Sequence, residues 1–552
     1  MVAGHLRTQR SARPRGRIHR RSTGEPMTRS ALGLAVAALA CLLGQAAPAQ
    51  VTTDWPSYLG ANNAFSETSG VKLIDDMTKA KLLWAYEDKA MGFGKAVSSA
   101  GRDGYAAGTG LAYGGEASLI VAGGLVIQFF TTPCGDATWA NGEKLMGEKF
   151  KEFSSFWKVA ADETVVAIDA ATGKMRWKQV FADKGINYCP GKRGGFAVTP
   201  CAADGKVFAF GTTARLYCLD LATGRVLWES AVQPIHKAIE DYKAQGVQER
   251  TARQNPAGRP YGMLLVVEGV LLAPDWAGGL VGIDTSNGKE LWRVKGCLSG
   301  FNAPAPVVAD GKRRLACINR TGELRLIDPK TGQVFWMHAL KSEHLTQPVF
   351  GKELLMAFES HPKITGDMFG KSKEPNSAGL LTAWQLTDQG AKRIWALPPE
   401  FVTELNLDAG PSRKIVARDG LVYFSARKQA GANYEKSRQP ILLIIRERDG
   451  AILKEAQVGG WNPYLWGDRL ITVTDIQHRP RAANAEIWQM YNADPADFRP
   501  LGGAWHVNGN PPVHTATGGY EVPVLEPFAD GLFFCRVWGG IRCYDLRLPG
   551  DQ

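Results

Sequence analysis

The order of apolar and polar residues along the chain repeats one short pattern. Four segments alternate apolar and polar residues up to an Asp, turn at a Gly and reach a Trp four residues later: AIDAATGKMRW (167–177), CLDLATGRVLW (218–228), GIDTSNGKELW (282–292) and LIDPKTGQVFW (326–336). Alternation with a period of two predicts β-strands, and Asp followed by Gly predicts a tight turn between them. We expect each Trp to pack as a large apolar wedge between adjacent sheets.

A second pattern predicts the number of repeat units. Turn residues followed by a strand-like run occur at eight places: Gly123-Gly124, Asp204-Gly205, Glu268-Gly269, Asp310-Gly311, Gly351, Asp419-Gly420, Gly467-Asp468 and Asp530-Gly531. Segment 80–87 carries Trp84 without an Asp turn before it, and segment 541–552 carries Asp545 without a Trp after it. These patterns predict an all-β, eight-bladed β-propeller whose N- and C-terminal strands share one sheet and close the ring.

The repeated phrase resembles the tryptophan-docking motif A-x-D-x-x-T-G-x-x-x-W of the propellers named after pyrroloquinoline quinone (PQQ). The matching structural residues are Asp169, Gly173, Trp177, Asp220, Gly224, Trp228, Asp284, Gly288, Trp292, Asp328, Gly332 and Trp336. Segment 54–68, DWPSYLGANNAFSET, is similar to the lead-in of secreted bacterial members. The resemblance covers nearly all of 51–552 and implies the propeller fold. It does not imply one chemistry, because the family holds both quinoprotein alcohol dehydrogenases and non-enzymatic scaffolds.

The first 49 residues predict export. Segment 27–49 has a basic start at Arg29, an apolar run and the small residues Ala47-Pro48-Ala49, as in a signal peptide cleaved near Ala49. Residues 1–26 precede this complete signal, and we interpret them as a mis-set start or an extended n-region. The mature protein would then be one propeller domain, 50–552, in the periplasm or secreted.

Cysteines, net charge and hydropathy add to the picture of location and partners. Cys41 offers an alternative as a lipoprotein site, which the sequence around it favours less. The net charge of +11 falls to +4 without residues 1–49, which carry eight Arg and one Glu, so the charge does not favour nucleic-acid binding. No segment of the mature chain is apolar over enough residues to span a membrane. Cys535 and Cys543 predict either a cross-hairpin disulfide or two buried thiols.

Long insertions interrupt the repeats. If the four strands of a blade are called A to D from the channel outward, the insertions fall in the B–C connections 134–162, 361–378, 428–440 and 476–487 and in the D–A connections 88–117 and 231–259. Both kinds of connection lie on one face of a propeller, so we expect this face to bind the ligand. Apolar spacing predicts short helices in two insertions, through Met146, Phe150, Phe153 and Trp157 and through Ile235, Ile239 and Tyr242.

Polar residues placed on the same face are candidate ligand contacts. They are His344, His361, Glu404, Asn406, His478, His506 and His514. Histidines and carboxylates of this kind bind metals or transfer protons, and the alternative is a scattered set of solvated loop residues. Sequence places them on a face but not at ligand distance, so no metal site is assigned.

Two main functions follow from these patterns. A quinoprotein alcohol dehydrogenase would hold PQQ on Ca²⁺ in the channel, but the chain has no adjacent Cys pair and no haem domain. An exported binding or scaffold protein would hold a protein, peptide or glycan on the insertion-bearing face, and we favour this function. A hydrolase or lyase that uses the histidines is a third alternative. Bulky side chains that plug the channel would favour the scaffold, whereas an aromatic floor with a carboxylate cluster would favour PQQ.

Overall fold

Eight blades of four antiparallel strands form a propeller, and the short strand Phe401–Glu404 joins blades 5 and 6 into one sheet. The computed structural model describes residues 51–67, 69–91, 105–106, 111–112, 117–133, 157–188, 198–232, 263–275, 278–298, 303–319, 321–340, 347–360, 378–404, 415–428, 441–460, 462–473, 487–506, 526–537 and 539–549. All of them belong to one unit, Ala49–Gln552. Within these ranges, no helix has the length and apolar character needed to cross a membrane.

The first four blades follow one another along the chain. Their strands, in the order A to D, are Ile120–Ala122, Leu125–Pro133, Trp157–Asp169 and Met175–Tyr188 in blade 1; Cys201–Ala203, Lys206–Phe210, Arg215–Asp220 and Val226–Ala231 in blade 2; Leu265–Val267, Val270–Pro274, Leu280–Asp284 and Glu290–Val294 in blade 3; and Ala305–Ala309, Lys312–Ile318, Glu323–Ile327 and Val334–Ala339 in blade 4.

The other four blades complete the ring. Their strands are Val349–Phe350, Leu355–Ser360, Ala378–Thr387 and Gly390–Ala396 in blade 5; Ile415–Arg418, Leu421–Lys428, Ile441–Arg446 and Ile452–Gln457 in blade 6; Asn462–Trp466, Arg469–Val473, Ile487–Asn492 and Pro500–His506 in blade 7; and Phe528–Ala529, Leu532–Val537, Gly540–Asp545 and Lys81–Glu87 in blade 8. Outside the blades lie the short strands Ser66–Glu67, Tyr105–Ala106, Leu111–Ala112 and Phe401–Glu404 and the 3-10 helices Met77–Lys79 and Lys89–Met91.

Blade 8 confirms the predicted ring closure. Its outermost strand comes from the N-terminal part of the chain, and it pairs antiparallel with strand C from Lys81 opposite Asp545 to Glu87 opposite Gly540. The two incomplete motifs at the chain ends therefore complete one sheet.

The A–B turns have the backbone geometry that their residues favour. At Asp204-Gly205, for example, φ is 50° and 70°. Positive φ at both central residues is the type I′ hairpin, which matches the twist of the flanking strands. The pairs with this geometry are Gly123-Gly124, Asp204-Gly205, Glu268-Gly269, Asp310-Gly311, Asp419-Gly420 and Asp530-Gly531.

Each Trp of the repeated phrase contacts the C–D turn of the next blade. Trp177 in blade 1 donates a hydrogen bond from Nε1 to Leu221 O in blade 2, at 2.9 Å. Its ring lies on Gly224, where a Cβ would come within 2.5 Å of the ring. Trp84, Trp228, Trp292 and Trp395 repeat this contact on Gly173, Gly288, Gly332 and Gly450, and Trp336 donates to Thr387 O. The Asp of each phrase fixes its own turn, as Asp169 Oδ1 accepts from Thr172 N and Oγ1.

The last two blade interfaces use other contacts. Lys454 stands at the Trp position of blade 6, and there Tyr423 OH donates to Ala493 O of blade 7 at 2.8 Å. Between blades 7 and 8, Trp466 stacks on Phe528 with ring centroids 4.7 Å apart, and Trp505 meets Tyr544 edge to face. Aromatic packing therefore replaces the repeated phrase where it is lost.

The structure corrects the helix that was expected through Trp157. Trp157 begins strand C of blade 1, opposite Tyr188, and so does not belong to a helix. The other residues of the two expected helices lie outside the described part.

The cysteines of the last hairpin do not face each other. Cys535 faces Arg542 across the hairpin and Cys543 faces Phe534, so the two side chains point to opposite faces of the sheet. They are buried thiols and not a cross-hairpin disulfide.

Candidate binding site at the ends of the central channel

The N-terminal segment 51–67 crosses one end of the central channel. Strand A is the innermost strand of each blade and lines the channel. Trp55 forms a β-bridge with Val121 in strand A of blade 1 through two hydrogen bonds of 2.8 and 3.0 Å. Ser66–Glu67 pairs in parallel with strand A of blade 7, with Ser66 opposite Leu465.

Contacts at the two ends of the segment lie on opposite sides of the ring. Ala202 N in strand A of blade 2 donates to Pro56 O at 2.8 Å, and Arg418 Nη1 in strand A of blade 6 donates to Glu67 O at 3.1 Å. The segment thus reaches across the ring at the end where the A–B turns lie, which we call the turn end.

Side chains fix this segment to the A–B turns. Asp54 Oδ1 accepts a hydrogen bond from Gly123 N in the turn of blade 1, at 2.9 Å. In the turn of blade 8, Asp530 Oδ2 accepts from Thr52 N and from Thr53 N. The segment is therefore part of the propeller and not a loose leader.

Aromatic side chains of the segment fill the space that it covers. Trp55 and Phe65 are fully buried, and Tyr58 is 2% exposed. Tyr58 and Phe65 meet edge to face, with ring centroids 5.6 Å apart. Gly60, at φ 82°, allows the chain to fold against the Trp55 ring. The segment therefore covers the turn end with bulky, buried side chains of the chain itself.

The carboxylate of Glu67, at the end of segment 51–67, is also buried. Its side chain is 1% exposed, and Oε1 accepts from Ser69 N at 2.5 Å. Burial, which disfavours the charged form, raises the pKa of Glu67. Glu67 thus favours the neutral form more than an exposed Glu does.

Polar residues occupy the opposite end, just before the A strands. Ser118 N donates to Thr199 Oγ1 at 3.0 Å, which joins blades 1 and 2. Gln347 forms a reciprocal pair with Ala303: Ala303 N donates to Oε1 at 2.8 Å, and Nε2 donates to Ala303 O at 3.0 Å. These amide and hydroxyl groups are used in holding neighbouring blades together.

Arg536 is a fully buried cation near this end. It lies in strand B of blade 8 with 0% exposure. Its guanidinium donates to Ala117 O at 3.0 Å and to Met91 O at 3.2 Å, and its backbone N donates to Glu526 Oε2 at 3.0 Å. Arg536 therefore joins blade 8 to the start of blade 1.

Glu163 is a buried carboxylate between blades 1 and 2. Oε1 accepts from Thr212 N and, at 2.7 Å, from Thr212 Oγ1, while Oε2 accepts from Tyr217 OH at 2.6 Å. Gly185 and Gly211 leave the room that the carboxylate occupies. Burial raises the pKa of Glu163, and the three hydrogen bonds oppose that rise. Both carboxylate oxygens of Glu163 therefore accept hydrogen bonds from the protein itself.

Glu447 makes an equivalent link between blades 5 and 6. It is 3% exposed and accepts from the backbone N–H groups of Lys352, Glu353 and Leu354, at 2.9, 2.7 and 2.8 Å. Three N–H groups around one carboxylate form an anion nest, here filled by a side chain of the protein.

A surface cavity of about 520 Å³ lies at the turn end beside blade 1. Its lining includes Val51, Thr52, Gly124, Asp169 and Arg176. Arg176 Nη1 lies 3.4 Å from Asp169 Oδ2 across this lining. The cavity belongs to the end that carries the short turns.

The predicted ligand contacts are only partly described. Glu404 ends the short strand Phe401–Glu404 and pairs with Ala378, where strand C of blade 5 begins. His506 ends strand D of blade 7, opposite Ile487 at the start of strand C. Both positions are on the end away from the A–B turns, on different blades. The other predicted contacts lie outside the described residues: His344, His361, Asn406, His478 and His514.

Several residues that hold the site together were not found from the sequence. Glu163, Glu447 and Arg536 each lie within or at the end of an apolar strand, and the pattern alone gives no partner for them. The available signal was a Glu or Arg in or beside an apolar strand, because these residues are almost never fully buried unless they are paired. The lead-in segment 54–68 was recognised, but its position across the channel was not predicted.

The fold and the repeated phrase define a PQQ-like β-propeller. Residues 161–455, more than half of the chain, match the family described as "Outer membrane protein assembly factor BamB", and the chain belongs to that family. A comparison with curated proteins finds no match.

Solved structures with a similar fold include both kinds of protein in the family. BamB from Moraxella catarrhalis is 15% identical, over 57% of this chain and 78% of that one, with a TM-score of 0.35. Quinohemoprotein alcohol dehydrogenase ADHIIG from Pseudomonas putida HK5 is 13% identical, over 89% and 80%, with a TM-score of 0.46. The quinohemoprotein alcohol dehydrogenase from Comamonas testosteroni is 13% identical, over 92% and 83%, with a TM-score of 0.48. At these values we base no functional argument on the likeness.

The described residues use their buried carboxylates in contacts within the chain. They contain no group of three or more His, Cys, Asp or Glu side chains placed to hold a metal ion. The buried carboxylates Glu67, Glu163 and Glu447 lie in segment 51–67, in blade 1 and beside strand C of blade 6, and each accepts hydrogen bonds from the chain itself.

Proposed function

We propose that the protein is an exported β-propeller that binds a protein, peptide or glycan and acts as a scaffold, through the face formed by the B–C and D–A connections. The observation that carries this proposal is the closure of the turn end by segment 51–67 with Trp55, Tyr58 and Phe65. A channel covered at one end by bulky side chains favours the scaffold over an enzyme that needs the channel for a cofactor.

The lengths of the connections support the choice of face. The strand bounds leave 134–156, 361–377, 429–440 and 474–486 between strands B and C, and 232–264 between blades 2 and 3. By contrast, most A–B connections are two residues long, as at Asp204-Gly205. Loops that carry binding residues are commonly the long connections of a rigid scaffold.

The position of Val51 supports cleavage of a leader near Ala49. Val51 is buried, and Thr52 N already donates to Asp530 Oδ2. Cleavage at Ala49 would therefore leave the whole propeller intact. We propose a periplasmic or secreted location, with lipidation at Cys41 as the alternative form of the same export.

Site-specific photocrosslinking tests the binding face. A crosslinking amino acid at His506 reports on the proposed face, and the matched control at Gln333 reports on the C–D turn of blade 4 at the turn end. We expect adducts with another macromolecule from position 506 and none from position 333. Adducts only from position 333, or from both positions equally, would contradict the proposed face.

A titration of residues 50–552 with PQQ and Ca²⁺ tests the alternative. A ligand at one hundred times its dissociation constant stabilises a protein by about 2.7 kcal/mol, which gives a clear rise in melting temperature. We expect no saturable change in quinone absorbance and no rise in melting temperature. Saturable, stabilising binding would overturn the scaffold proposal in favour of a quinoprotein dehydrogenase.

A further inference from the structure

Two buried cysteines come together where blade 3 meets blade 4. Cys297 lies in the connection that follows strand D of blade 3, and Cys317 lies in strand B of blade 4. Both side chains are 0% exposed, and both are thiols in the structure. They are separated by twenty positions in the sequence.

The alternation of strand B directs Cys317 toward blade 3. Cys317 packs in the apolar core that contains Cys297 and Leu298. Its neighbours Ala316 and Ile318 pack on the other side, in the core that contains Leu355 of blade 5. Successive side chains of a strand point to opposite faces, so Cys317 faces the connection that carries Cys297.

Hydrogen bonds hold the backbone around Cys297 beside Cys317. Asn319, two residues beyond Cys317, donates from Nδ2 to Gly296 O at 3.1 Å. Arg325, which lies opposite Cys317 in strand C, donates from Nη1 to Lys295 O at 2.9 Å. Lys295 and Gly296, which immediately precede Cys297, thus each accept a hydrogen bond from a residue close to Cys317.

The surroundings of the two thiols agree with this placement. Cys297 Sγ donates to Val294 O at 3.4 Å, which leaves its sulfur lone pairs available. A side-chain hydrogen bond with Cys297, followed by burial, raises the pKa of Cys317 well above its ordinary value.

We propose that Cys297 and Cys317 are the site of a disulfide bond that joins blade 3 to blade 4. The two thiols lose two protons and two electrons and form one S–S bond, and a disulfide donor takes them up and becomes two thiols. Such donors are present in the compartments to which exported proteins are sent. The natural occurrence of the bond thus rests on the proposed export, whereas the geometry of the site does not.

A second pair of buried cysteines provides a matched control. Cys201 and Cys218 in blade 2 both lie opposite Phe208, one on each side of strand B. Two strand spacings separate their Cα atoms by about 9.6 Å, beyond the roughly 7 Å that a disulfide can span. These two cysteines should remain thiols under every condition that oxidises the first pair.

Peptide mapping tests the bond directly. The chain is prepared in two ways: exported with its own leader, and refolded as residues 50–552 with reduced and oxidised glutathione. Free thiols are then blocked with N-ethylmaleimide in denaturant, without reductant, and the protein is digested with trypsin. We expect peptide 296–312 joined to peptide 315–320, released by reduction, with Cys201 and Cys218 blocked by the reagent.

The outcomes separate this site from the proposed export. Blocked Cys297 and Cys317 in the refolded chain, or a bond from either one to a different cysteine, would overturn the site. The bond in the refolded chain but not in the exported chain would support the site and count against export. A closed loop of this length should also raise the melting temperature of the oxidised chain by about 3 °C over the reduced chain. That difference should vanish in Cys297→Ala.

Discussion

The contact between Trp177 and Gly224 makes a quantitative prediction about what joins the blades. Gly224 has φ 71°, and an added Cβ would lie 2.5 Å from the Trp177 ring. Gly205, in the same blade, has φ 70° and nothing within 4 Å of such a Cβ. Gly224→Ala and Gly205→Ala therefore impose the same backbone strain, but only the first one also displaces the Trp.

The expected magnitudes follow from these two terms. A left-handed backbone costs Ala roughly 1–2 kcal/mol, so Gly205→Ala should lower the free energy of unfolding by about that amount. Overpacking costs roughly 1–3 kcal/mol more, so Gly224→Ala should be about 2 kcal/mol worse than its control.

Urea unfolding followed by tryptophan fluorescence measures both variants, with Trp177→Leu as a second background. The smaller Leu side chain relieves the overlap, so the gap between the two Gly variants should shrink there. Equal destabilisation by the two variants in the native background would refute the idea that the Trp–Gly contact bears on blade association.

Three further predictions concern buried side chains and pH. Glu447→Ala should leave the N–H groups of Lys352, Glu353 and Leu354 buried without their acceptor and cost about 3 kcal/mol in urea unfolding, whereas Asp449→Ala at an exposed position should cost little. Trp55→Ala should cost about 3–5 kcal/mol in the same assay, and a loss below 1 kcal/mol would contradict its role in closing the channel. Burial raises the pKa of Glu163, so its contribution to stability should be complete below the unfolded value near 4.5 and fall as pH rises through the folded value; Glu163→Gln should remove this pH dependence, and an unchanged profile would contradict it.

The sequence predicted the blades because their signals are local. The turn pairs, the Asp–Gly–Trp phrase and the two incomplete ends each lie within about a dozen residues, so period and spacing give the number of blades and the closing strand. The same reasoning failed for Trp157, where apolar residues at helical spacing lead into a strand whose partner, Met175–Tyr188, extends further than the repeat requires.

The links between blades depend on contacts that are distant in sequence. Glu447 accepts from backbone groups 93 to 95 positions away, and Thr52 donates to Asp530 across 478 positions. A hydrophobic pattern shows that such residues lie in a strand or a turn but not what they meet. For the same reason, the sequence placed Glu404 and His506 on a face but could not give the distance between them.

The pairing of Lys81–Glu87 with Gly540–Asp545 also sets the order of events during folding. A strand made near the start of synthesis has no partner until more than 450 further residues have been added. Contacts of such long range slow folding, because the entropy of the intervening chain is lost before the pairing rewards it. Strand Lys81–Glu87 therefore has no β-sheet partner until the last blade has been made. The ring can close only after synthesis has ended.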